Sequence, residues 1–184
     1  MKKVFIIILI LSSAVSFGQS KYNYIRYNKL FEINGTEYVV ASMENKGKMR
    51  IKSKYLLFIN TETGQTTQVD FPMDAIIYNV KQVKIDKLEI NKIIIEARTV
   101  NLNGNKSIDW NDPLQIIILS TDGKEKKQLT DDRFFVSTWS VNNKSGTITI
   151  SGYYDTNQNG RYDRKDKNAI EIYSLKTLKL EYKI

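Results

Sequence analysis

The sequence contains neither cysteine nor histidine among its 184 residues. Without cysteine, the protein has no disulfide bond, no thiol nucleophile and no lipid anchor on cysteine. Without histidine as well, it lacks the usual zinc ligands and the base of a Ser-His triad. A catalytic acid or base would have to be a carboxylate, a lysine or a tyrosine. We therefore expect a protein that is not an enzyme.

Proline is scarce, and no stretch after the N-terminal segment shows a sustained helical period. The two prolines, Pro72 and Pro113, both lie between runs that are typical of strands. Residues 55–59 and 92–95 are short runs rich in β-branched or aromatic residues, and residues 147–150 alternate like a half-buried strand. The pattern predicts an all-β fold.

The charges do not form a long run of one sign. The chain has 28 lysines and arginines against 20 aspartates and glutamates, which gives a formal charge of +8. These residues are spread along the sequence, as on a solvated basic surface, whereas a nucleic-acid site usually concentrates them. We expect no nucleic-acid partner.

The N-terminal segment, residues 1–18, has the pattern of a signal peptide. Two lysines form its charged start, and residues 4–11 are an apolar run. Ser-Phe-Gly at residues 16–18 is the segment before the cleavage site. The apolar run is too short to span a bilayer. We expect the mature chain to begin at Gln19, to be exported to the periplasm or the cell exterior, and not to insert stably in a membrane.

The most specific signal is a twelve-residue stretch, residues 155–166, which we call the second loop. Oxygen-bearing side chains occupy its positions 1, 3, 5, 9 and 12, and a glycine occupies position 6. Ca2+ takes six to eight oxygen ligands, and glycine at position 6 permits the sharp turn that a calcium loop needs. An Asx-rich turn without metal is the alternative. The predicted ligands, with the carbonyl at position 7, are Asp155, Asn157, Asn159, Arg161, Asp163 and Asp166.

A weaker copy of this stretch, residues 101–112, occurs upstream, and we call it the first loop. The two copies are 54 residues apart, since 163 − 109 and 166 − 112 give the same spacing. The first loop has two carboxylates where the second has three, and Lys106 replaces the glycine at position 6. We expect it to bind calcium more weakly. Its predicted ligands are Asn101, Asn103, Asn105, Ser107, Asp109 and Asp112.

The two loops belong to a longer repeat. Strand-like runs and turns recur in three units of about 24–70, 75–130 and 133–184 within a single domain, residues 19–184. Each unit holds about four strands, which is the size of a propeller blade. The corresponding loop of the first unit, residues 44–53, has one acid and several lysines, so we expect no metal there.

The third unit contains a segment with a Trp-Ser step at residues 136–143, an apolar segment at residues 146–150 and a further strand-like segment at residues 170–175. These segments resemble, in order, the inner strand, the apolar strand after it and the following strand in a blade of the TolB-like β-propeller repeat family of exported bacterial proteins. The second loop lies between the last two and is similar to the calcium-loop insertions of that family. The resemblance implies propeller-like blades with bound calcium.

Three blades are too few to close a ring, because propellers usually have four to eight. A half-propeller would leave two apolar outer faces, which dimerisation of two chains would cover. The alternative is an open sheet stack or sandwich whose edges are covered by residues 20–30, with Tyr22, Tyr24 and Tyr27 as the packing side chains.

Two classes of function fit these observations. The first is an exported, calcium-binding, propeller-like module that binds a protein or a surface polymer without catalysis. The second is a carbohydrate-active or glycan-binding domain on the same scaffold, because a fold does not decide function. For Trp139, which lies in a repeating strand, we expect a place in the core. Trp110 lies inside the first loop, and its position is compatible with either the core or an exposed sugar-stacking surface.

Overall fold

A computed structural model of the chain describes residues 27, 29–42, 55–160 and 162–184. The predicted leader, residues 1–18, lies outside the described residues, and so does the corresponding loop of the first unit, residues 44–53. In the described part of the chain, no helix has the length and apolar character that a membrane span requires.

The described residues form twelve strands and one short 3₁₀ turn, Asp86–Leu88. The strands are β1 (Lys29–Glu32), β2 (Tyr38–Ser42), β3 (Tyr55–Asn60), β4 (Thr66–Asp70), β5 (Ile76–Ile85), β6 (Ile90–Arg98), β7 (Gln115–Leu119), β8 (Lys126–Gln128), β9 (Phe134–Asn142), β10 (Thr147–Tyr154), β11 (Lys167–Ser174) and β12 (Leu180–Lys183). Four consecutive strands form each of three antiparallel sheets. We call β1–β4 blade 1, β5–β8 blade 2 and β9–β12 blade 3. The prediction of an all-β fold with three four-stranded units is confirmed.

Blade 2 is apolar on both faces. Ile94 pairs with Ile118 across β6 and β7, and Ile95 pairs with Ile117 one position further on. Because successive side chains of a strand point to opposite faces, these two pairs face opposite sides of the sheet. All four side chains are buried. The continuous isoleucine runs therefore mark strands that are covered on both sides.

Two apolar clusters, which share no residue, join the blades. One packs Leu56 and Phe58 of blade 1 against Ile95 and neighbouring residues of blade 2. The other packs the opposite face of blade 2 against Ile148 and Ile150 of blade 3. Burying each such side chain stabilises the fold by about 1.5–3 kcal/mol. Blade 2 therefore lies between blades 1 and 3.

The turns that end the third strand of each blade share a left-handed residue. Gly64 and Gly123 have φ angles of 72° and 75°, and Leu178 has a φ of 55° at the same place in blade 3. A left-handed leucine is unusual, because its Cβ crowds the backbone. The Leu178 side chain packs against the cluster between blades 2 and 3, and this burial offsets the strain.

Strand β5 was not among the runs that the sequence pattern indicated. It is ten residues long, but most of its central positions are polar or exposed. A strand whose side chains are largely solvated lacks the apolar signal that identified β3, β6 and β10. The spacing of the units was the one indication of a strand before β6.

The outer face of blade 3, which points away from blade 2, carries exposed apolar side chains. Ile172 pairs with Tyr182, and Ile170 exchanges backbone hydrogen bonds with Ile184, so the four share one face. Ile170 is 38% exposed, Tyr182 64% and Ile184 75%. On blade 1, Leu30 is 66% exposed. Of the tyrosines in the predicted cover, Tyr27 is described, and its hydroxyl donates to the Tyr55 hydroxyl at 2.8 Å.

We expect Gly152→Ala to lower the free energy of unfolding by about 1–3 kcal/mol, the usual cost of overpacking. An added Cβ would lie 2.2 Å from the carbonyl oxygen of Phe135 and 2.8 Å from the ring of Phe134. The glycine follows a bulge between β9 and β10. Chemical denaturation measures the change. Ser151→Ala, next to it in the same strand, is the control, and equal stability of the two variants would contradict the packing argument.

We propose that the chain forms a dimer, in which the outer face of blade 3 in one copy covers the outer face of blade 1 in the other. Exposed apolar patches of this kind commonly mark interaction surfaces. Light scattering coupled to size exclusion should give a dimer at micromolar concentration. The double variant Ile170→Lys, Tyr182→Lys should give a monomer. Met73→Lys, at an apolar site that is 74% exposed and lies outside the strands, should remain dimeric. A wild-type chain that elutes as a monomer would contradict this arrangement.

Candidate functional site

The two loops occupy equivalent places in neighbouring blades. The first loop connects β6 with β7, and the second connects β10 with β11, so each follows the second strand of its blade. The loops also touch: a Cβ added to Gly160 of the second loop would lie 3.0 Å from the Cβ of Asn103 in the first. Stacking of the repeat therefore brings the two predicted metal loops together.

The carboxylate at position 12 closes both loops in the same way. In the second loop, Asp166 accepts the backbone N–H of Thr156 at 3.2 Å and that of Asp163 at 2.7 Å. In the first loop, Asp112 accepts the N–H groups of the same two positions at 2.9 and 2.8 Å. Asp112 is fully buried. Position 12 therefore ties the beginning of the loop to its end.

The carboxylate at position 9 accepts hydrogen bonds from the amide side chains of its loop. Asp163 accepts the side-chain N–H groups of Asn157 at 2.7 Å and Asn159 at 2.8 Å on one oxygen. Its other oxygen accepts the backbone N–H of Lys165 at 2.7 Å. In the first loop, Asp109 accepts the side chain of Asn105 at 3.0 Å in the equivalent way. Positions 3, 5 and 9 of the second loop thus converge on one point.

The backbone conformation of the loops agrees at position 4 and differs at position 6. Gln158 and Gly104, both at position 4, have φ angles of 59° and 66°. Gly160, at position 6 of the second loop, also has a positive φ, of 70°, whereas Lys106 at that position of the first loop has none. A side chain at position 6 is thus tolerated in the first loop because its backbone does not enter the left-handed region there.

The two loops also differ at position 1. Asp155 is 3% exposed, and its carboxylate accepts the backbone N–H groups of Asn159 at 3.1 Å and Gly160 at 2.7 Å. Asn101 donates its side-chain N–H to the carbonyl of Asn105 at 2.7 Å. Its side-chain oxygen is the one buried side-chain polar atom in the described part of the chain without a hydrogen-bond partner. Such an oxygen normally has a partner.

Carboxylates alone do not make a metal site in either loop. Among residues 27, 29–42, 55–160 and 162–184, no group of three Asp or Glu side chains is placed to hold an ion. Arg161, whose carbonyl is the predicted ligand at position 7, lies outside the described residues. An ion in the second loop would therefore depend on amide oxygens as well as carboxylates. The amides of Asn157 and Asn159 can supply them by exchanging the places of their nitrogen and oxygen.

No protein-family model matches the chain, and no similar curated protein was found. The resemblance to TolB-like blades therefore stays a prediction from the sequence.

A cleft of about 390 Å³ opens beside the contact between the loops. Its aromatic lining begins with Phe135 and Tyr153, whose rings are stacked with centroids 4.8 Å apart. Tyr162 of the second loop continues the row, 4.5 Å from Tyr153. Trp110 of the first loop, which is 67% exposed, completes the aromatic lining. Burial, as the first cause, raises the pKa of Tyr153 to about 12, so its hydroxyl is neutral at physiological pH.

Arg98 lies at the end of β6 and is the one charged side chain among the described lining residues of the cleft. Its Nε donates to the hydroxyl of Tyr78 at 3.0 Å, and an Nη donates to the backbone carbonyl of Asp112. Arg98 is thus held in place by β5 and by the last residue of the first loop. Trp139, in contrast, is partly buried against the cluster between blades 2 and 3.

Sequence reasoning did not identify one buried carboxylate, Glu171 of β11, which is 1% exposed. It accepts the hydroxyls of Tyr154 and Tyr173, and the ammonium of Lys183 lies 3.5 Å away. Burial and the bond to Glu171 raise the pKa of both tyrosines. A single glutamate within the apolar run of β11 is the sequence signal that could have indicated this buried carboxylate. Its partners tie β10, β11 and β12 together.

We expect the hydrogen bonds of Asp163 to persist to lower pH than an ordinary aspartate would allow. The backbone N–H of Lys165, and then the side chain of Asn157, lower the pKa of this carboxyl below its usual 3.8. A depressed pKa gives stabilisation that is present above the ordinary value and is lost as the pH falls through the folded value. The side-chain amide signals of Asn157 and Asn159 in NMR spectra should therefore stay constant from neutral pH to about 4 and shift below it. Shifts centred above pH 4 would contradict this, and Asp163→Asn should abolish them.

Proposed function

We propose that this chain is an exported, calcium-binding module that binds a protein or a surface polymer through the rim on which its two loops lie, and that it is not an enzyme. The observation that carries the proposal is the agreement between the loops. Two stretches 54 residues apart (166 − 112) make the same hydrogen bonds to the carboxylates at positions 9 and 12. A mere Asx turn does not require the side chains at positions 5, 9 and 12 to meet the same partners in both copies.

In the second loop, the side chains of Asp155, Asn157, Asn159 and Asp163 would hold the ion. Bound calcium supplies a positive charge that holds these oxygens together. Asp166 was predicted as a fifth ligand, and its two oxygens accept backbone N–H groups. The two oxygens of Asp155 do the same, so in both residues the remaining lone pairs would bind the ion, and Asp166 stays a proposed ligand that also closes the loop. The Arg161 carbonyl remains the proposed ligand at position 7.

In the first loop, the buried oxygen of Asn101 supports a weaker site. It occupies position 1 and has no hydrogen-bond partner among the described residues, and coordination to a cation would satisfy it. Asn103, Asn105, Ser107, Asp109 and Asp112 would provide the remaining oxygens. The smaller number of carboxylates makes this site the weaker of the two.

A carbohydrate-active or glycan-binding domain is the second candidate. The aromatic cleft between the loops favours sugar binding, because Trp110 and Tyr162 are 67% and 60% exposed there. No carboxylate lines the described part of this cleft. An acid-base pair of carboxylates across the sugar is what most glycosidases require, so binding is favoured over hydrolysis.

Calcium should raise the melting temperature of the chain by about 3–6 °C. The dissociation constant expected for an extracellular loop with few carboxylates is about 10⁻⁴–10⁻³ M. At about 1 mM calcium and the tighter limit, binding contributes roughly 1.4 kcal/mol of stability, which corresponds to that shift for a domain of this size. Magnesium should compete poorly, because it demands octahedral geometry and retains its waters. Thermal unfolding with calcium, magnesium or chelator measures the effect.

Variants at position 9 distinguish the contributions of the two loops to calcium binding. Asp163→Ala should abolish most of the calcium-dependent shift, whereas Asp109→Ala should remove a smaller part. Asp122→Ala is the control, because Asp122 accepts the backbone N–H of Lys124 and the hydroxyl of Ser120 in a turn outside both loops. If chelator leaves the melting temperature of the wild-type chain unchanged, the loops are only turns and the proposed function is wrong.

A further inference from the structure

The lining of the cleft between the loops matches the chemistry of a sugar ring. Aromatic faces cover the apolar C–H face of a sugar ring, and planar polar groups bond its hydroxyls. Trp110 and Tyr162, which are 67% and 60% exposed, supply the faces. Tyr162 packs against Tyr153, which stacks on the buried Phe135, and Asn111 is a planar polar group in the same lining. The volume of about 390 Å³ lies in the range of small-molecule sites, roughly 300–1,000 Å³.

The charged groups that line the cleft favour an acidic sugar over a neutral one. Arg98 lines it, and its guanidinium has five N–H donors, of which two are used by Tyr78 and Asp112. The described lining contains no carboxylate. A guanidinium held in this way pairs well with a carboxylate. Without Lys2 and Lys3 of the predicted leader, the formal charge of +8 becomes 26 − 20 = +6, which also favours association with a polyanion.

Residues of the first loop and of the second loop form part of the same cleft. Gly160 and Tyr162 are positions 6 and 8 of the second loop, and Trp110 and Asn111 are positions 10 and 11 of the first. An ion held by Asp155 and Asp163 would fix the segment between them, which carries Tyr162. Fixing a side chain in its binding position reduces the entropy lost when the ligand binds.

We propose that this cleft binds a uronate ring of an acidic polysaccharide, and that calcium in the second loop strengthens the binding. Trp110 and Tyr162 stack on the ring, and Arg98 pairs with its carboxylate. The calcium dependence rests on the proposed function, whereas the sugar site does not. Linkage requires that the sugar raise the affinity for calcium by the same factor.

Calorimetry on the full chain tests the site. The probes are tetrasaccharides of glucuronate, galacturonate and mannuronate, each beside its carboxyl-reduced counterpart. At least one uronate should bind about tenfold or more tightly than its reduced form, because the reduced form cannot make the charge-assisted bonds. Trp110→Ala should weaken binding about tenfold or more. Met73→Ala, at a site that is 74% exposed, should bind as the wild type does.

A second pair of variants tests whether a loss of binding comes from a loss of folding. Tyr162→Ala should weaken binding, and Tyr162→Phe should restore it because the ring is retained. Chelator should weaken binding to the wild-type chain about fivefold or more. The same treatment should have a much smaller effect on Asp163→Ala. This variant controls for calcium bound by the sugar itself, because such binding would leave the effect of chelator unchanged.

The outcomes separate this inference from the proposed function. If calcium stabilises the chain but no uronate probe binds better than its reduced form, the sugar site is wrong and the calcium proposal stands. If Trp110→Ala binds as the wild type does, the cleft is not the site. If a uronate binds through Trp110 but calcium neither stabilises the chain nor changes the affinity, the sugar site stands and the calcium proposal is wrong.

Discussion

The burial of both faces of blade 2 is the constraint on which the rest of the structure depends. Ile94 and Ile95 point to opposite sides of β6, and both are buried. A sheet of this kind is stable in water only with a layer on each side. Blades 1 and 3 provide those layers, and their position against blade 2 places the two loops next to each other. The loops and the cleft are therefore consequences of how the blades pack.

The loops show how repetition and local chemistry combine. The carboxylates at positions 9 and 12 accept equivalent N–H groups in both loops, although the sequences share few residues. Position 4 is left-handed in both, with glycine in one and glutamine in the other. Local hydrogen bonds to aspartate and asparagine can replace a glycine where the backbone is held firmly enough. The difference at position 6 marks the place where the second loop rests on Asn103 of the first.

Much of the fold could be predicted from the apolar runs of the strands and from the spacing of the repeat. The apolar runs located β3, β6 and β10, and the 54-residue spacing (163 − 109) showed that the two loops are equivalent. Strand β5 escaped detection because its side chains are largely polar or exposed. The cleft could not be predicted, since it joins Arg98, Tyr153 and Tyr162, which come together only when blade 3 packs on blade 2. The role of Asp166 in closing its loop also required the geometry, because spacing alone does not distinguish an ion ligand from a backbone acceptor.

The contact between Gly160 and Asn103 has a geometric consequence. Blades 2 and 3 each contribute one loop to the same rim, so the distance between the two loops is set by the distance between packed sheets, about 10 Å. That distance is fixed by isoleucines in the core and not by the loops. The sequence of either loop can change without moving its neighbour, provided that the residue facing the other loop stays small. A linear chain lying along the rim would therefore meet the first and second loops at an interval that the core determines.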